Sequence, residues 1–304
     1  MQKIITAQNQ KVDFKINNQL KSFHIKREDI LGTGISGNKL RKLKYNVLKA
    51  IEKGEKTILT FGGAYSNQIL AASFIKKQYG INVIGVIRGE ELEDKINDNP
   101  TLKLAQQNGM IFHFISRASY KEKYSAKFIQ KLKDKFGSFY LLPEGGTNEL
   151  AIKGCEEILT IKDVNFDYIC SAVGTGGTIA GLINSSHKNQ KILGFSSLKG
   201  DFLKDDVAKL VTKNNWEILT DYHFGGYAKV TKELIDFINN FKSETKIKLD
   251  PIYNGKMMFG IYDLMKNGYF SKNTSILAIH TGGLQAIEGM NSFLKKKGLP
   301  LINI

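Results

Sequence analysis

The feature that most constrains the fold is a repeated alternation of short apolar runs with longer amphipathic segments. Runs rich in branched and aromatic residues predict strands at 57–61, 82–88, 110–115, 139–142, 168–173, 191–196 and 275–280. The amphipathic segments predict helices from about residue 39 and at 68–78, 101–108, 120–135, 149–161, 179–186, 205–212, 231–241, 256–267 and 284–290. Such alternation predicts an α/β fold, a mostly parallel sheet with helices on both faces.

The glycine clusters of the chain follow predicted strands. They include Gly62-Gly63, Gly145-Gly146, Gly174-Thr175-Gly176-Gly177 and Gly282-Gly283. Because open α/β sheets bind ligands outside the carboxyl ends of their strands, this regularity predicts one composite site.

Residues 27–43 carry the most informative local pattern. Gly32, Gly34 and Gly37 make a flexible loop, and Asn38 is predicted to cap the helix that follows. Lys39 then occupies the first helical position. It is either a solvated lysine or an amine whose pKa is lowered by the helix dipole and by burial, which would suit a nucleophile or a Schiff base.

The loop after the strand at 168–173 is the best phosphate candidate. Its glycines uncover backbone N–H groups at a helix start, and its threonines add hydroxyl donors: Gly174, Thr175, Gly176, Gly177 and Thr178. Ile179 excludes a dinucleotide fingerprint, and no Gly-Lys-Ser/Thr follows as in a P-loop. The alternative is a tight turn without a ligand.

Two further stretches each allow a structural and a functional interpretation. Ser66, Asn67 and Gln68 either cap a helix or form a carboxylate site in which Asn67 contacts a ring oxygen of the ligand. Tyr253 is either a half-buried aromatic side chain or an active-site phenol. Thr281, before Gly282-Gly283, allows the same two interpretations.

Length and charge limit the classes of function. A chain of 304 residues suggests two domains or one large α/β unit. The net charge of +15 suits an anionic ligand, a lysine-rich surface or nucleic acid. No zinc-finger spacing, helix-turn-helix signature or aromatic ribonucleoprotein motif supports nucleic acid, so we expect none as a partner.

The location of the protein is predicted from what the sequence lacks. No apolar run is long enough to span a membrane, and residues 1–6 do not begin a secretory signal. Cys155 and Cys170 have no metal-type spacing, and two isolated cysteines suit a reducing compartment. We expect a cytoplasmic protein without a metal site.

Taken in order, these motifs resemble one family. The chain from about residue 25 to 283 is similar to the pyridoxal-phosphate enzymes typified by 1-aminocyclopropane-1-carboxylate deaminase and D-cysteine desulfhydrase, within the tryptophan-synthase-β-like fold. The segment with Gly37-Asn38-Lys39 matches best, followed by residues 144–148 and 173–178. Each motif alone is weak, but five in this order are specific.

The resemblance implies a fold with two open, twisted, mostly parallel sheets and pyridoxal 5'-phosphate in the cleft between two domains, which is fold type II. A large domain would span 1–52 plus 154–304, and a small domain 53–153. The family implies a homodimer and a small amino acid as substrate.

The resemblance also implies roles for single residues. Lys39 would form the Schiff base with the cofactor, Asn67 would hold its ring hydroxyl oxygen, and Gly174, Thr175, Gly176, Gly177 and Thr178 its phosphate. Asn254 and Thr281 would lie near the pyridine nitrogen. Ser66, Asn67, Gln68 and Tyr253 would contact the substrate, with catalytic roles for Lys39, Ser66 and Tyr253.

Two departures from the family pattern bear on the reaction. Gln68 stands where many members have histidine, and it cannot carry a proton at neutral pH. Asn254 stands where the cyclopropane deaminases have a glutamate that can keep the pyridine nitrogen protonated. We therefore expect β-elimination to a 2-oxo acid and ammonia. Cyclopropane ring opening is the first alternative, and a cofactor-binding protein with little catalysis is the second.

Overall fold

A computed structural model describes residues 6–17 and 19–303 of the chain. Residues 1–5, most of the stretch considered for a secretory signal, lie outside the described residues, as do both ends of the predicted large domain. Within the described part, strands and helices alternate from residue 57 to residue 279, as the sequence pattern predicted. Across the same part, no helix combines the length and apolar character that a membrane crossing requires.

The strands of the described chain are short, as is usual for α/β proteins. They are β1 (Asn9–Ile16), β2 (Gln19–Lys26), β3 (Thr57–Gly62), β4 (Asn82–Arg88), β5 (Ile111–Ile115), β6 (Tyr140–Leu142), β7 (Tyr168–Val173), β8 (Lys191–Ser196), β9 (Trp216–Leu219) and β10 (Ile276–Ile279).

The helices lie mainly between these strands. They are α1 (Asn38–Glu52), α2 (Asn67–Ser73), α3 (Ile75–Tyr79), α4 (Pro100–Gln107), α5 (Arg117–Lys121), α6 (Ala126–Phe136), α7 (Glu149–Glu156), α8 (Gly177–Ser185), α9 (Phe202–Ala208), α10 (Lys232–Thr245), α11 (Asn254–Lys266) and α12 (Ala286–Lys296).

The strands form two sheets. The larger has the order β1-β2-β10-β7-β8-β9, and only its β1–β2 pair is antiparallel. The smaller has the order β5-β4-β3-β6 and is parallel throughout. The expectation of two mostly parallel sheets is confirmed.

Several predicted helices had wrong bounds, each for a local reason. The helix predicted at 120–135 is two helices, α5 and α6, because the Ser125 side chain accepts a hydrogen bond from Phe128 N and starts a new one. The helix predicted at 68–78 is divided at Phe74, whose N–H bonds the carbonyl of Ala71, three residues back. The helix predicted at 205–212 begins earlier, at Phe202.

Helices cover both faces of the larger sheet and pack on the smaller one. Helices α10 and α11 share one core with β1, β7 and β8, while α8 and α9 pack on the opposite face. The apolar face of α1, with Leu43 and Val47, belongs to the core of the smaller sheet. Since α1 carries Lys39, the candidate Schiff-base lysine is anchored to that sheet. The domain limits at 52/53 and 153/154 stay a prediction.

Candidate active site

The loops at the carboxyl ends of β3, β6, β7 and β10 meet the start of α1 around one cavity. Predicted site residues line it, except Gly177 and Asn254, and several residues that were not predicted join them. The lining residues include Asn38, Lys39, Lys42, Ser66, Asn67, Gln68, Gly145, Gly174, Thr175, Gly176, Thr178, Tyr227, Tyr253 and Thr281. The cavity adjoins a wider cleft of about 830 Å³.

Glycines allow these loops to approach one another closely. Gly37 has a φ of +62°, and a Cβ atom at this position would lie 2.1 Å from the carbonyl oxygen of Thr281. That oxygen instead accepts a hydrogen bond from the N–H of Asn38 at 3.1 Å. A Cβ at Gly283 would lie 2.8 Å from Nδ2 of Asn67. Larger residues at positions 37 and 283 would therefore push the loops apart.

Lys39 lies in the first turn of α1. The helix begins one residue earlier than predicted: Gly37 is the N-cap, and Asn38 is the first helical residue. Asn38 uses its side-chain amide to donate to Thr178 Oγ1 at 2.9 Å, which ties this turn to the loop after β7.

The surroundings of Lys39 lower its pKa to about 7, mainly through burial and also through the nearby charge of Lys42. Among the described residues, none forms a hydrogen bond with its Nζ. At pH 7 about half of such amines are neutral, and the neutral amine is the form that attacks a carbonyl carbon, so this environment corresponds to the second of the two interpretations.

The loop after β7 and the start of α8 provide donors for an anion. Helix α8 begins at Gly177, two residues before the predicted start, because Gly176 adopts a left-handed conformation and caps it. No side chain caps this helix, so the N–H groups of its first turn are available to a ligand.

Lys42 adds a cation to this region and was missed by the sequence analysis. It is buried, and its Nζ donates to the carbonyl of Gly145 and to Thr147 Oγ1, both at 3.1 Å, with Thr175 Oγ1 at 3.5 Å. Burial lowers its pKa. Its spacing of three residues from Lys39 places both on one face of α1, a signal that the sequence contained.

The loop after β3 combines a structural and a functional feature. Ser66 caps α2, accepting hydrogen bonds from the N–H groups of Gln68 and Ile69 at 3.2 and 3.3 Å. Its hydroxyl hydrogen is still free to be donated. Asn67 Oδ1 accepts a hydrogen bond from Gln285 at 2.7 Å.

The amide of Gln68 stands out in this loop. Its side chain is buried, yet neither Oε1 nor Nε2 has a partner among the described residues. Buried polar groups are almost always paired, so an unpaired amide on the cavity wall indicates a place for a polar ligand.

Two tyrosines contact each other on the wall of the cavity. The rings of Tyr227 and Tyr253 lie edge to face with centroids 6.3 Å apart. Burial raises the pKa of Tyr253 well above its ordinary value, and Tyr227 and Asp250 raise it further. Its phenol is therefore protonated at neutral pH. Tyr227 was not predicted; the Gly225-Gly226 pair before it was the available signal.

Asn254 and Thr281 differ in their access to the cavity. Asn254 is fully buried, and Nδ2 donates to Asp250 Oδ2 at 2.5 Å and to the carbonyl of Gly282 at 2.8 Å. Its Oδ1 accepts from the N–H and hydroxyl of Thr281 at 3.0 and 3.3 Å. Thr281 lines the cavity, and Asn254 lies behind it.

The comparisons with known proteins agree with this geometry. Residues 13–282 match the model of a family described as pyridoxal-phosphate dependent enzyme. The chain belongs to this enzyme family. A Pyrococcus horikoshii protein, named provisionally as a 1-aminocyclopropane-1-carboxylate deaminase, is 33% identical over 86% of this chain and 84% of its own length.

Other relatives extend the comparison. The mitochondrial bifunctional D-cysteine desulfhydrase/1-aminocyclopropane-1-carboxylate deaminase of Arabidopsis thaliana is 32% identical over 86% of this chain and 72% of its own. The crystal structure of an ACC deaminase homologue has a TM-score of 0.76 at 29% identity, covering 90% of this chain and 89% of that chain. A hydrogen sulfide-producing enzyme of Fusobacterium nucleatum shares the fold, with a TM-score of 0.64 at 15% identity over 93% and 98% of the chains.

The residues present fit pyridoxal 5'-phosphate. Lys39 offers an amine of lowered pKa, and the first turn of α8 with Lys42 offers donors and a positive charge for a phosphate group. The unpaired amide of Gln68 offers a polar contact on the opposite loop. The fold, the cofactor class and the enzymatic nature of the protein predicted from the sequence are confirmed.

Proposed function

We propose that this enzyme is a lyase that removes the β-substituent and the amino group of a small amino acid, giving a 2-oxo acid and ammonia. D-Cysteine, which would yield pyruvate, sulfide and ammonia, is the proposed substrate type. The observation that carries the proposal is the Lys39 amine, with a pKa of about 7, in one cavity with a phosphate cradle and unpaired polar groups.

Each cavity residue has a task in this reaction. The cofactor, when bound, supplies an electron sink for the charge that develops at the α-carbon. Lys39 is a base that can take the α-proton, because a pKa of about 7 leaves a large fraction of its amine neutral near pH 7. Gln68 and the hydroxyl of Ser66 offer donors for the substrate carboxylate. The protonated phenol of Tyr253 can give a proton to the leaving group.

Ring opening of 1-aminocyclopropane-1-carboxylate is the second candidate. It is favoured by the names of the relatives, of which the Arabidopsis thaliana protein carries both activities. Elimination is favoured here because no carboxylate occupies position 254, where Asn254 has all of its amide positions filled by the protein. A neutral ring nitrogen makes a weaker electron sink, and ring opening demands more of it.

The cofactor assignment is tested by absorbance spectra of the purified enzyme and two variants. The wild type and Lys53→Ala, which changes an exposed lysine just beyond α1, should both show a band at about 400–430 nm, as expected for a lysine Schiff base. Lys39→Ala should lack it. A band of equal height in Lys39→Ala would overturn the assignment of this lysine.

The substrate class is tested by product analysis with the same enzyme. D-Cysteine should release pyruvate and sulfide, while 1-aminocyclopropane-1-carboxylate should release no 2-oxobutanoate. The reverse result would show that ring opening does not require a carboxylate at position 254. Turnover of neither compound, in protein that shows the band, would direct the search to other amino acids.

We further propose a cytoplasmic homodimer that does not bind nucleic acid. Support for the location comes from Cys155 and Cys170, which are buried and free of disulfides in the described structure. The homodimer is the assembly that the family resemblance implies. Light scattering after size-exclusion chromatography should give about twice the chain mass of 34.1 kDa. A monomer at micromolar concentration would contradict the proposal.

A further inference from the structure

A buried lysine outside the cavity holds the backbone of a cavity loop. Lys256, on α11, is only 1% exposed. Its Nζ donates to the carbonyls of His223 and Gly226, both at 2.8 Å. Within the described chain, no carboxylate lies within ion-pair distance of it. Burying an ammonium group without a counter-charge costs free energy, so a role for Lys256 has to be sought in its contacts with these two carbonyls.

The loop that Lys256 holds lies between β9 and α10 and has an unusual backbone. Residues 221–229 form neither helix nor strand. Four of them have positive φ angles: Phe224 (+51°), Gly225 (+92°), Gly226 (+111°) and Ala228 (+55°). Two of these are not glycine, so the conformation costs free energy and must be maintained by contacts with the rest of the protein.

The two halves of this loop are anchored differently. The first half is held by Tyr222, whose hydroxyl donates to Asp263 at 2.9 Å, and by Phe224, whose ring lies 4.9 Å from that of Phe259. In the second half, Lys256 contacts the carbonyl of Gly226, which is the residue directly before Tyr227. Tyr227 is 44% exposed and its ring contacts Tyr253, so this ring contact and the loop backbone together fix its position.

Lys256 connects the two tyrosines of the cavity through one rigid element. It lies three residues after Tyr253, at the start of the same helix, and it binds the residue that precedes Tyr227. The same carbonyl also accepts a hydrogen bond from the N–H of Lys229 at 3.1 Å. The position of Tyr227 relative to Tyr253 therefore depends on the Lys256 contact together with this backbone bond and the contact between the two rings. Burial lowers the pKa of Lys256 to about 8, and the charge of Asp250 opposes this effect, so the group is mainly protonated at neutral pH.

We infer that Lys256 is a positioning residue for the reaction, because its ammonium group holds the Gly226 carbonyl so that Tyr227 stands against Tyr253 at the cavity. This inference rests on the proposed function only in taking the cavity as the active site. Lys256 itself touches neither substrate nor cofactor. Its removal should leave cofactor binding unchanged and impair the use of substrate.

The test compares Lys256→Met, Lys256→Arg, Tyr227→Phe and the double variant Lys256→Met/Tyr227→Phe, all as holoenzymes. Lys266→Met, which removes an exposed lysine at the end of the same helix, is the control. Lys256→Met should keep the absorbance band and lose about tenfold in kcat/KM. Lys256→Arg, which can still donate to carbonyls, should recover part of this loss.

A double-mutant cycle separates positioning from a general effect on stability. If Lys256 acts through Tyr227, the double variant should be little worse than Tyr227→Phe alone. If the two losses multiply, or if Lys256→Met lowers the melting temperature with kcat/KM unchanged, the inference is overturned.

Hydrogen exchange of residues 221–229 gives a readout that does not depend on turnover. Exchange in this peptide should be faster in Lys256→Met than in the wild type and in Lys266→Met, while the α11 peptide stays protected. If Lys256→Met does not fold, Lys256→Arg and Lys256→Gln carry the same comparison. Unchanged exchange would overturn the inference.

A wild type without turnover would contradict the proposed function, yet the exchange result would still decide whether Lys256 holds the loop.

Discussion

The amine of Lys39 lies where burial, and then the charge of Lys42, disfavour its protonated form, and its pKa falls to about 7. An ordinary lysine is neutral only near pH 10 and above. In cofactor-free protein, the rate at which added pyridoxal 5'-phosphate forms its lysine band should therefore rise between pH 6 and 8 and then level off. Stopped-flow absorbance measures this rate.

Lys42→Met is the informative variant for this pH profile. Removing a neighbouring positive charge favours protonation of Lys39, so the midpoint should move to higher pH, whereas Lys53→Ala should leave it unchanged. A wild-type rate that keeps rising to pH 10 would show that Lys39 is an ordinary solvated lysine.

Gln68 permits a second prediction at the scale of single residues. Because its buried amide has no partner in the described chain, Gln68→Leu leaves no other group unpaired and should change the free energy of unfolding by less than about 1 kcal/mol. The same change removes a donor for the substrate carboxylate, so KM should rise roughly tenfold or more.

Steady-state kinetics and urea denaturation measure the two effects of Gln68→Leu. Gln78→Leu, which changes an exposed glutamine on α3 bonded to the carbonyl of Thr33, serves as the control. An unchanged KM together with a marked loss of stability would place Gln68 among the structural residues instead.

At the scale of elements, the sequence predicted the parallel strands well and the first hairpin not at all. The strands at 82–88, 168–173 and 191–196 were predicted with their actual bounds, since buried parallel strands are continuous apolar runs. β1 and β2 were missed because the prediction rested on continuous apolar runs, whereas β1 alternates polar and apolar residues, as half-buried strands do, and the first half of β2 is exposed. β9 has only four residues, too few for a periodic pattern.

The crossing of α1 and α7 supports a prediction at the same scale. A Cβ atom at Gly154 would lie 2.0 Å from the carbonyl oxygen of Arg41, so the two helices meet backbone to backbone. Gly154→Ala should therefore lower the free energy of unfolding by about 1–3 kcal/mol, as overpacked contacts do. Because α1 carries Lys39 and Lys42, it should also weaken cofactor retention.

Urea denaturation and the absorbance band after dialysis measure these two consequences of Gly154→Ala. Lys153→Ala, at an exposed position one residue earlier on α7, should have little effect on either. Full stability in Gly154→Ala would mean that the helices can separate without cost.

At the scale of the whole molecule, the glycine clusters predicted that several strand ends share one cavity, and the structure brings together the carboxyl ends of β3 and β6 from one sheet and of β7 and β10 from the other. The sequence could not show that Asn254 lies behind Thr281, because this arrangement follows from the packing of α11 against the end of β10. The Gly225-Gly226 pair marks a loop before Tyr227, but the sequence could not show that this loop reaches the cavity, because a lysine of another helix holds it there. Distant contacts of this kind leave no local pattern.

The six-stranded sheet is assembled from two distant parts of the chain, and one buried ion pair joins them. Lys26, at the end of β2, contacts Asp163, which lies shortly before β7, at 2.7 Å, and both side chains are buried. Asn9 of β1 donates to the same carboxylate at 2.7 Å. The hairpin joins β10 through only three residue pairs, and its other attachments are the apolar side chains that it buries against α10 and α11 and this ion pair.

Asp163→Asn should lower the free energy of unfolding by about 3–5 kcal/mol, because it leaves the Lys26 ammonium group buried without a counter-charge. Asp206→Asn, in an exposed pair with Lys209 on the surface, should cost less than about 1 kcal/mol. Lys26→Met/Asp163→Leu should recover much of the loss, since no charge then remains buried. Urea denaturation measures all three.

The same pair predicts how stability depends on pH. Burial by itself raises the pKa of Asp163, but hydrogen bonds from Lys26 and Asn9 outweigh it and hold the pKa below its ordinary value. The carboxylate therefore stabilises the fold above the ordinary aspartate pKa of about 4, and this contribution is lost as the pH falls through the lowered value. The difference in unfolding free energy between wild type and Asp163→Asn should shrink on acidification below pH 4. A difference that stays constant to pH 2 would show that the variant acts by packing instead of charge.

Because residues 27–43 lead directly from β2 to Lys39, detachment of the hairpin in Asp163→Asn should also reduce the absorbance band before the rest of the protein unfolds.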